Sequence, residues 1–126
     1  MEYYYNADGT QIGVLVSYGF GAGWSTWGDR NLAVDKRIIE YWFAHKDNPQ
    51  WRKDINSFCD NPAITDMHNF LNSIGYGGNT YLGGVNDLKL EWVDCNRFWR
   101  INEYDGNEMI EFLNLGTEWF NIPERK

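Results

Sequence analysis

The amino-acid sequence predicts a single α+β domain spanning residues 1–126, in which an N-terminal β-hairpin and central helices precede C-terminal antiparallel strands that form one sheet packed on the helices. Apolar residues recur at helical spacing over residues 31–45, whereas they alternate with polar residues over residues 97–113. Asp-Gly pairs at 8–9 and 105–106 are typical of tight hairpin turns. A chain of this length buries roughly two thirds of the surface that its unfolded form would expose, so one core is sufficient.

The N-terminal hairpin is predicted where two β-prone runs, EYYYN and QIGVLVSYG, flank the turn sequence NADGT. A glycine-rich segment follows. Apolar residues at helical spacing then predict a helix over 31–45, with Asp29 or Asn31 as its N-cap.

Two Asn-Pro pairs, at 48–49 and 61–62, predict two further short helices, because Asn caps a helix and Pro fits its first position. Gly75 ends the second of them. The sequence LKLEWV then alternates apolar and charged residues, which indicates a strand with one solvated face. Residues 97–113 are predicted to form an antiparallel hairpin that turns near Gly106.

The net charge of -7 is unevenly distributed along the chain. Residues 30–60 carry a net charge of +1, whereas residues 86–118 carry -5. Because nucleic-acid binding depends on Lys and Arg neutralising phosphates, we expect no direct nucleic-acid contact.

The N-terminal sequence MEYYYNADGTQ lacks the basic and apolar regions of a secretory signal, and no apolar run reaches the length of a membrane span. The expected location is therefore the cytoplasm, with no membrane partner. Cys59 and Cys95 are expected to be reduced thiols there.

The segment SYGFGAGWSTWGDRN, residues 17–31, places three glycines at alternate positions before two tryptophans. It does not match a dinucleotide fingerprint, because Trp24 stands where the third glycine should fall, and no lysine follows to make a phosphate loop. Two interpretations remain open. The segment is either a tight turn that supports the core or an anion-binding nest of backbone N–H groups beside the first helix.

No catalytic or metal-binding constellation stands out. His45 and His68 are the two histidines, and neither lies in a metal-ligand pattern with Cys59. Ser25 is not in a nucleophile elbow. The sequence therefore predicts no metal, no cofactor and no catalytic residue, although common carboxylates leave an enzyme open.

Aromatic residues beside the glycines lie outside the periodic faces and offer stacking area for a ligand. An arginine from the C-terminal sheet would add recognition of a phosphate. The predicted ligand-binding residues are Gly21, Gly23, Trp24, Trp27, Arg97, Trp99 and Arg100.

Three stretches, YGFGAGWSTW, IGYGGNTYLGG and FWRINEYDGNE, resemble a family of small proteins encoded by bacteriophages. In general character the chain is similar to phage counter-defence proteins, among them Thoeris anti-defence proteins that sequester nucleotide signals and anti-CRISPR proteins that occupy a Cas nuclease. This resemblance implies action in the host cytoplasm. It transfers no binding residue, because no motif matches those groups position by position.

Two functions follow as hypotheses. In the first, the protein sequesters a nucleotide-derived immune signal without turnover, in a pocket of glycines and aromatic residues with Arg97 or Arg100 on a phosphate. In the second, it is a protein inhibitor whose acidic half docks on a basic nucleic-acid-binding surface of a host defence protein. A concave site that joins Trp24, Trp27 and an arginine favours the first, whereas a convex acidic face with filled glycine turns favours the second. Homo-oligomer formation stays open in both.

Overall fold

The computed structural model describes residues 1–51, 61–77 and 80–113, and this part of the chain forms a mixed α+β structure. Its strands are β1 (Gln11–Ser17), β2 (Leu88–Asp94), β3 (Trp99–Tyr104) and β4 (Asn107–Phe112). Its α-helices are α1 (Lys36–His45) and α2 (Pro62–Ser73), and short 3-10 helices span Arg30–Ala33 and Val85–Asp87.

The strands form two antiparallel pairs rather than the one sheet that the sequence predicted. Strand β1 pairs with β2, with Gln11 opposite Asp94, and β3 pairs with β4, with Trp99 opposite Phe112. The prediction of one sheet is not confirmed, because the β3–β4 hairpin packs on a face of β1 through Ile101 and Ile110 instead of pairing with its edge.

The two faces of β1 belong to two different apolar clusters. Leu15 packs in the cluster that contains the buried residues of α1 and α2. On the opposite face, Val14 and Val16 pack in a second cluster together with Ile101 and Ile110 of the hairpin. The β1–β2 pair therefore lies between a helical layer and the β3–β4 hairpin.

The N-terminal hairpin is present as a turn but not as a pair of strands. Gly9 has a φ of +75°, as its position in the predicted turn requires. The arm that precedes the turn contributes one isolated bridge, Tyr5 to Ile12, and β1 finds its strand partner in β2. The arm is nevertheless hydrogen-bonded to β1, with the Gly13 N–H donating to the Tyr4 carbonyl at 2.7 Å, while β2 pairs with the other edge of β1. The hairpin is therefore present with an arm too short to be a strand.

The helix predicted over 31–45 is divided near Val34. Asp29 caps the 3-10 helix, as predicted, whereas Asp35 caps α1 by accepting a hydrogen bond of 2.9 Å from the Arg37 N–H. A second capping residue inside the predicted helix explains the division, since its side chain competes for the backbone N–H groups.

Helix α2 agrees with its prediction. Asn61 accepts hydrogen bonds from the N–H groups of Ala63 and Ile64, and Pro62 occupies the first helical position. After the helix, Gly75 adopts a φ of +98°. At the other Asn-Pro pair, Asn48 caps a turn that reaches Trp51, and the rest of that predicted helix lies outside the described residues.

Candidate functional site

The glycine-rich segment wraps around the carboxylate of Glu108, which belongs to β4 and is 1% exposed. One carboxylate oxygen accepts the Ser17 N–H at 2.9 Å. The other accepts the N–H groups of Trp24 at 2.9 Å and Thr26 at 3.0 Å, together with the Thr26 hydroxyl. We name these donors and the carboxylate the Glu108 cradle. It is an anion nest whose anion is part of the same chain.

Sequence reasoning missed Glu108, although the sequence contains a signal for it. In NEMIEF, Glu108 shares a strand face with Ile110 and Phe112, and that face packs on β1. A carboxylate on an apolar face needs donors, because burying a charge without them is costly. The glycine-rich segment supplies those donors.

Glu103 lies directly opposite Glu108 in the hairpin and binds the same segment. Its carboxylate accepts the Trp27 indole N–H at 3.0 Å and the Gly106 N–H at 2.9 Å. The Gly106 and Trp27 hydrogen bonds hold the pKa of the Glu103 carboxyl below its usual value. Adjacent like charges are destabilising across two strands, and here each carboxylate is offset by its own donors.

The turn between β3 and β4 packs closely on the glycine-rich segment. Asp105 and Gly106 both have positive φ, and a Cβ on Gly106 would meet the backbone of Ala22 and Gly23 within 3 Å. The Asp105 carbonyl also accepts the Gly21 N–H. The glycines at these positions permit backbone-to-backbone contact, so the space beside them is filled by the protein itself.

Trp24 lies in the core and not at a ligand-accessible surface. Its side chain is 0% exposed, and its indole N–H donates to the Leu32 carbonyl at 3.0 Å. In this conformation the ring has no free face on which a ligand could stack. Trp27 is partly exposed, and its ring packs at 5.6 Å from the ring of Tyr81.

The predicted arginines are engaged elsewhere. Arg100 forms an ion pair with Glu111, and it lies on the face of β3 opposite to the one from which Glu103 contacts Trp27. Arg97 stacks on the Phe112 ring, 3.8 Å from its centroid, at the end of the hairpin remote from the turn. Trp99 packs against the cluster on β1. The structure therefore does not bring Trp24, Trp27 and an arginine together in one concave site.

The contacts between the hairpin turn and the glycine-rich segment leave an exposed surface of aromatic and acidic residues. Phe20 is 66% exposed and Tyr104 is 77% exposed, and each precedes one partner of the Gly21 to Asp105 hydrogen bond. We call this surface the acidic–aromatic patch; its members are Phe20, Trp27, Glu103, Tyr104 and Asp105. Because Glu103 and Tyr104 lie on opposite faces of β3, the patch extends around the hairpin turn and does not lie on one face.

A second buried carboxylate joins α1 to the segment after α2. Asp35 accepts hydrogen bonds from the Arg37 guanidinium and from the Tyr76 hydroxyl, both at 2.8 Å. Burial opposes its ionisation, but these hydrogen bonds outweigh that effect and hold the pKa of the Asp35 carboxyl below its usual value. Burial and the bond to Asp35 raise the pKa of Tyr76.

These carboxylates do not resemble an acid–base pair for catalysis. The oxygens of Glu108 are occupied by donors and closed to solvent, so that they offer no position to a substrate. Among the described residues no group of three or more His, Cys, Asp or Glu side chains could hold a metal ion. Cys95 is exposed and forms no disulfide, and Cys59 lies outside the described residues.

Comparisons with protein-family models, with curated proteins and with solved structures give no match to this chain. In the part of the chain that the structure describes, no helix is long and apolar enough to cross a membrane.

Proposed function

We propose that this protein acts by binding without catalysis, and that it docks the acidic–aromatic patch on a basic surface of a partner protein. The resemblance to phage counter-defence proteins makes a host defence protein, with a basic surface that binds nucleic acid, the proposed partner. This proposal corresponds to the second of the two hypotheses, in which the protein inhibits a partner protein by binding to it.

The filled Glu108 cradle is the observation that carries the proposal. A nucleotide phosphate at the glycine-rich segment would have to displace a buried carboxylate that already accepts three N–H groups and a hydroxyl. It would also lack the ring of Trp24, which is in the core. These contacts count against a nucleotide pocket there and leave the exposed side of the same structure as the candidate surface.

The chemistry of the patch is suited to a protein partner. Aromatic residues are enriched in protein interfaces, where large rings contribute a disproportionate share of the binding energy. Glu103 and Asp105 beside them, on a chain of net charge -7, would accelerate the approach of a basic surface. Such a contact with a partner protein requires binding affinity but no catalytic activity.

The experiment compares phage plating on bacteria that carry single defence systems, with and without the protein. We expect the wild-type protein to restore plating against one system and the double variant Phe20→Ser, Tyr104→Ser to lose that effect. The matched control is Phe98→Ser, which removes an exposed ring before β3, six residues from Tyr104. Circular dichroism checks that each variant is folded.

Native mass spectrometry of the tagged protein from the responsive cells then distinguishes the hypotheses. A complex with a component of that defence system, lost in the double variant and kept in Phe98→Ser, supports the proposal. A bound nucleotide with no protein partner would contradict it and restore the sequestration hypothesis, as would full activity of the double variant.

A further inference from the structure

A groove with a volume of about 450 Å³ runs between β2 and β4, beside the acidic–aromatic patch. Its walls include Tyr18, Trp92, Met109 and Phe112, and Glu91 lies among them. The volume falls within the range of about 300–1,000 Å³ that is usual for binding clefts. Tyr18, Trp92 and Met109 are exposed, so the groove is open to a ligand from solvent.

The edge of β4 that is turned away from β3 carries unpaired backbone groups. The Leu113 N–H donates to the Phe98 carbonyl at 2.9 Å, which places alternate residues of β4 in hydrogen bonds with β3. By the same alternation, the N–H and C=O groups of Ile110 and Phe112 point away from β3. Among the described residues they have no backbone partner. Such an edge can accept an additional strand.

Glu91 supplies a carboxylate that no described side chain pairs with directly. Its side chain is half-buried, and within the described ranges it has no hydrogen bond or ion pair. The two nearby cations lie on rings instead, with Lys89 at 4.8 Å from the Tyr18 centroid and Arg97 over Phe112. A carboxylate in partly apolar surroundings is a suitable partner for a lysine or arginine side chain.

We infer that the groove binds an extended segment of the partner protein, which adds a strand to β4 and places one Lys or Arg against Glu91. This inference rests on the proposed function and specifies its mode of binding. Lys89 is two residues from Glu91 on the same face of β2, so a second base two positions away in the segment would be repelled. The preferred segment therefore carries a single base between uncharged or acidic residues.

A second copy of this chain is a less suitable occupant than a basic segment. Each copy carries a net charge of -7, and the edge that it would present, NEMIEF, contains two acidic residues and no base. Like charges brought together across paired strands are destabilising.

The experiment selects nine-residue random peptides, displayed on filamentous phage, on the immobilised full-length protein. We expect β-prone peptides with one central Lys or Arg. Synthetic copies should bind Glu91→Gln at least tenfold more weakly than wild type. The matched control is Glu111→Gln, which removes the same charge from a residue of β4 that does not line the groove, and it should bind within twofold of wild type.

Amide hydrogen exchange with the bound peptide tests strand addition itself. The Ile110 and Phe112 amides should exchange at least tenfold more slowly in the complex, while the Met109 and Glu111 amides, already paired with β3, change little. Three results would overturn the inference: selection of no peptide, equal binding by Glu91→Gln, or unchanged exchange at 110 and 112. Protection that rises with protein concentration in the absence of peptide would also overturn it, since a second copy would then fill the groove.

The two proposals can fail separately. If the patch variant abolishes counter-defence activity but no peptide protects the β4 edge, the patch binds a partner and the groove does not. If no complex with a basic partner forms in cells, the proposed function fails whatever the peptides do.

Discussion

Glu108 explains why flexible glycines and bulky tryptophans stand side by side in the sequence. The glycines allow the chain to turn around the Glu108 carboxylate, and the Trp24 side chain packs in the core next to that turn. Three N–H groups and a hydroxyl converge on that carboxylate, and a hydrogen bond to a charged group typically contributes about 1.5–3 kcal/mol. The cradle therefore stabilises the joint between the hairpin and the glycine-rich segment.

Replacing Glu108 by Gln should destabilise the protein by about 1–3 kcal/mol, because the amide NH₂ cannot accept and at least one buried N–H loses its partner. Urea denaturation measures the free energy of unfolding. The control Glu111→Gln removes an exposed ion pair with Arg100, worth about 0–1 kcal/mol. An equal loss in the two variants would show that the cradle contributes no special stability.

At the scale of single elements, the two Asp-Gly turns form a matched pair. Gly9 and Gly106 have φ values of +75° and +88°, but a Cβ on Gly9 would meet nothing within 4 Å, whereas one on Gly106 would meet the backbone of Ala22 and Gly23. The turn at Gly9 therefore has no packing contact near the glycine, whereas the turn at Gly106 packs against the glycine-rich segment.

Gly9→Ala should therefore cost about 1–2 kcal/mol, the price of a left-handed conformation alone. Gly106→Ala should cost clearly more, since the backbone contacts must also separate. Thermal and urea unfolding of both variants measure the difference. An equal loss of unfolding free energy in the two variants would show that the Gly106 backbone is not in close contact with the backbone of Ala22 and Gly23.

Asp35 links the start of α1 to Tyr76, and its lowered pKa predicts a pH dependence. A carboxyl whose pKa is lower in the folded state stabilises the protein above its unfolded value of 3.8 and loses that contribution as the pH falls further. Asp35→Asn should therefore destabilise the protein at pH 6, by about 1–3 kcal/mol from its charged hydrogen bonds.

Unfolding curves of wild type and Asp35→Asn between pH 6 and pH 2.5 test this prediction. The difference between the two should shrink as the pH drops below 3.8. The control is Asp29→Asn, a change at an exposed cap. A difference that stays constant across this range would show that the Asp35 charge does not stabilise the fold.

Local signals predicted the elements better than their arrangement. Asn61 before Pro62, and Asp105 before Gly106, fix their own neighbours through capping and turn geometry, and both predictions are confirmed. The division of the first helix depends on Asp35, which the sequence offered as one acidic residue among many. Asp35 differs from the other acidic residues because it accepts a hydrogen bond from the hydroxyl of Tyr76, which is 41 residues away.

For the whole molecule, the sequence could not show which strand pairs with β1. An apolar run such as IGVLV is compatible with a hairpin arm or with a strand buried on both faces. In the structure this run is buried on both faces, between two layers. The sequence also could not show which residues of the candidate site are buried. Trp24 and Trp27 are three residues apart, yet the first is in the core and the second lies at the surface, because Glu108 and Glu103 hold the segment between them.

In the whole molecule the glycine-rich segment connects the hairpin to the core, and under the proposed function its outer surface is the binding face. The Glu108 cradle and the Gly21–Asp105 hydrogen bond hold the hairpin turn against the glycine-rich segment. The protein would then recognise a partner through surface rings and carboxylates, and not through a nucleotide pocket.

The most direct test is a titration of the ¹⁵N-labelled protein with nucleoside triphosphates and cyclic nucleotides, followed in amide ¹H–¹⁵N spectra. We expect the resonances of the Ser17, Trp24 and Thr26 amides to keep their positions throughout, because these amides already donate to Glu108. Saturable shifts of these three amides on addition of a nucleotide would show that a phosphate displaces the carboxylate, and would contradict the account.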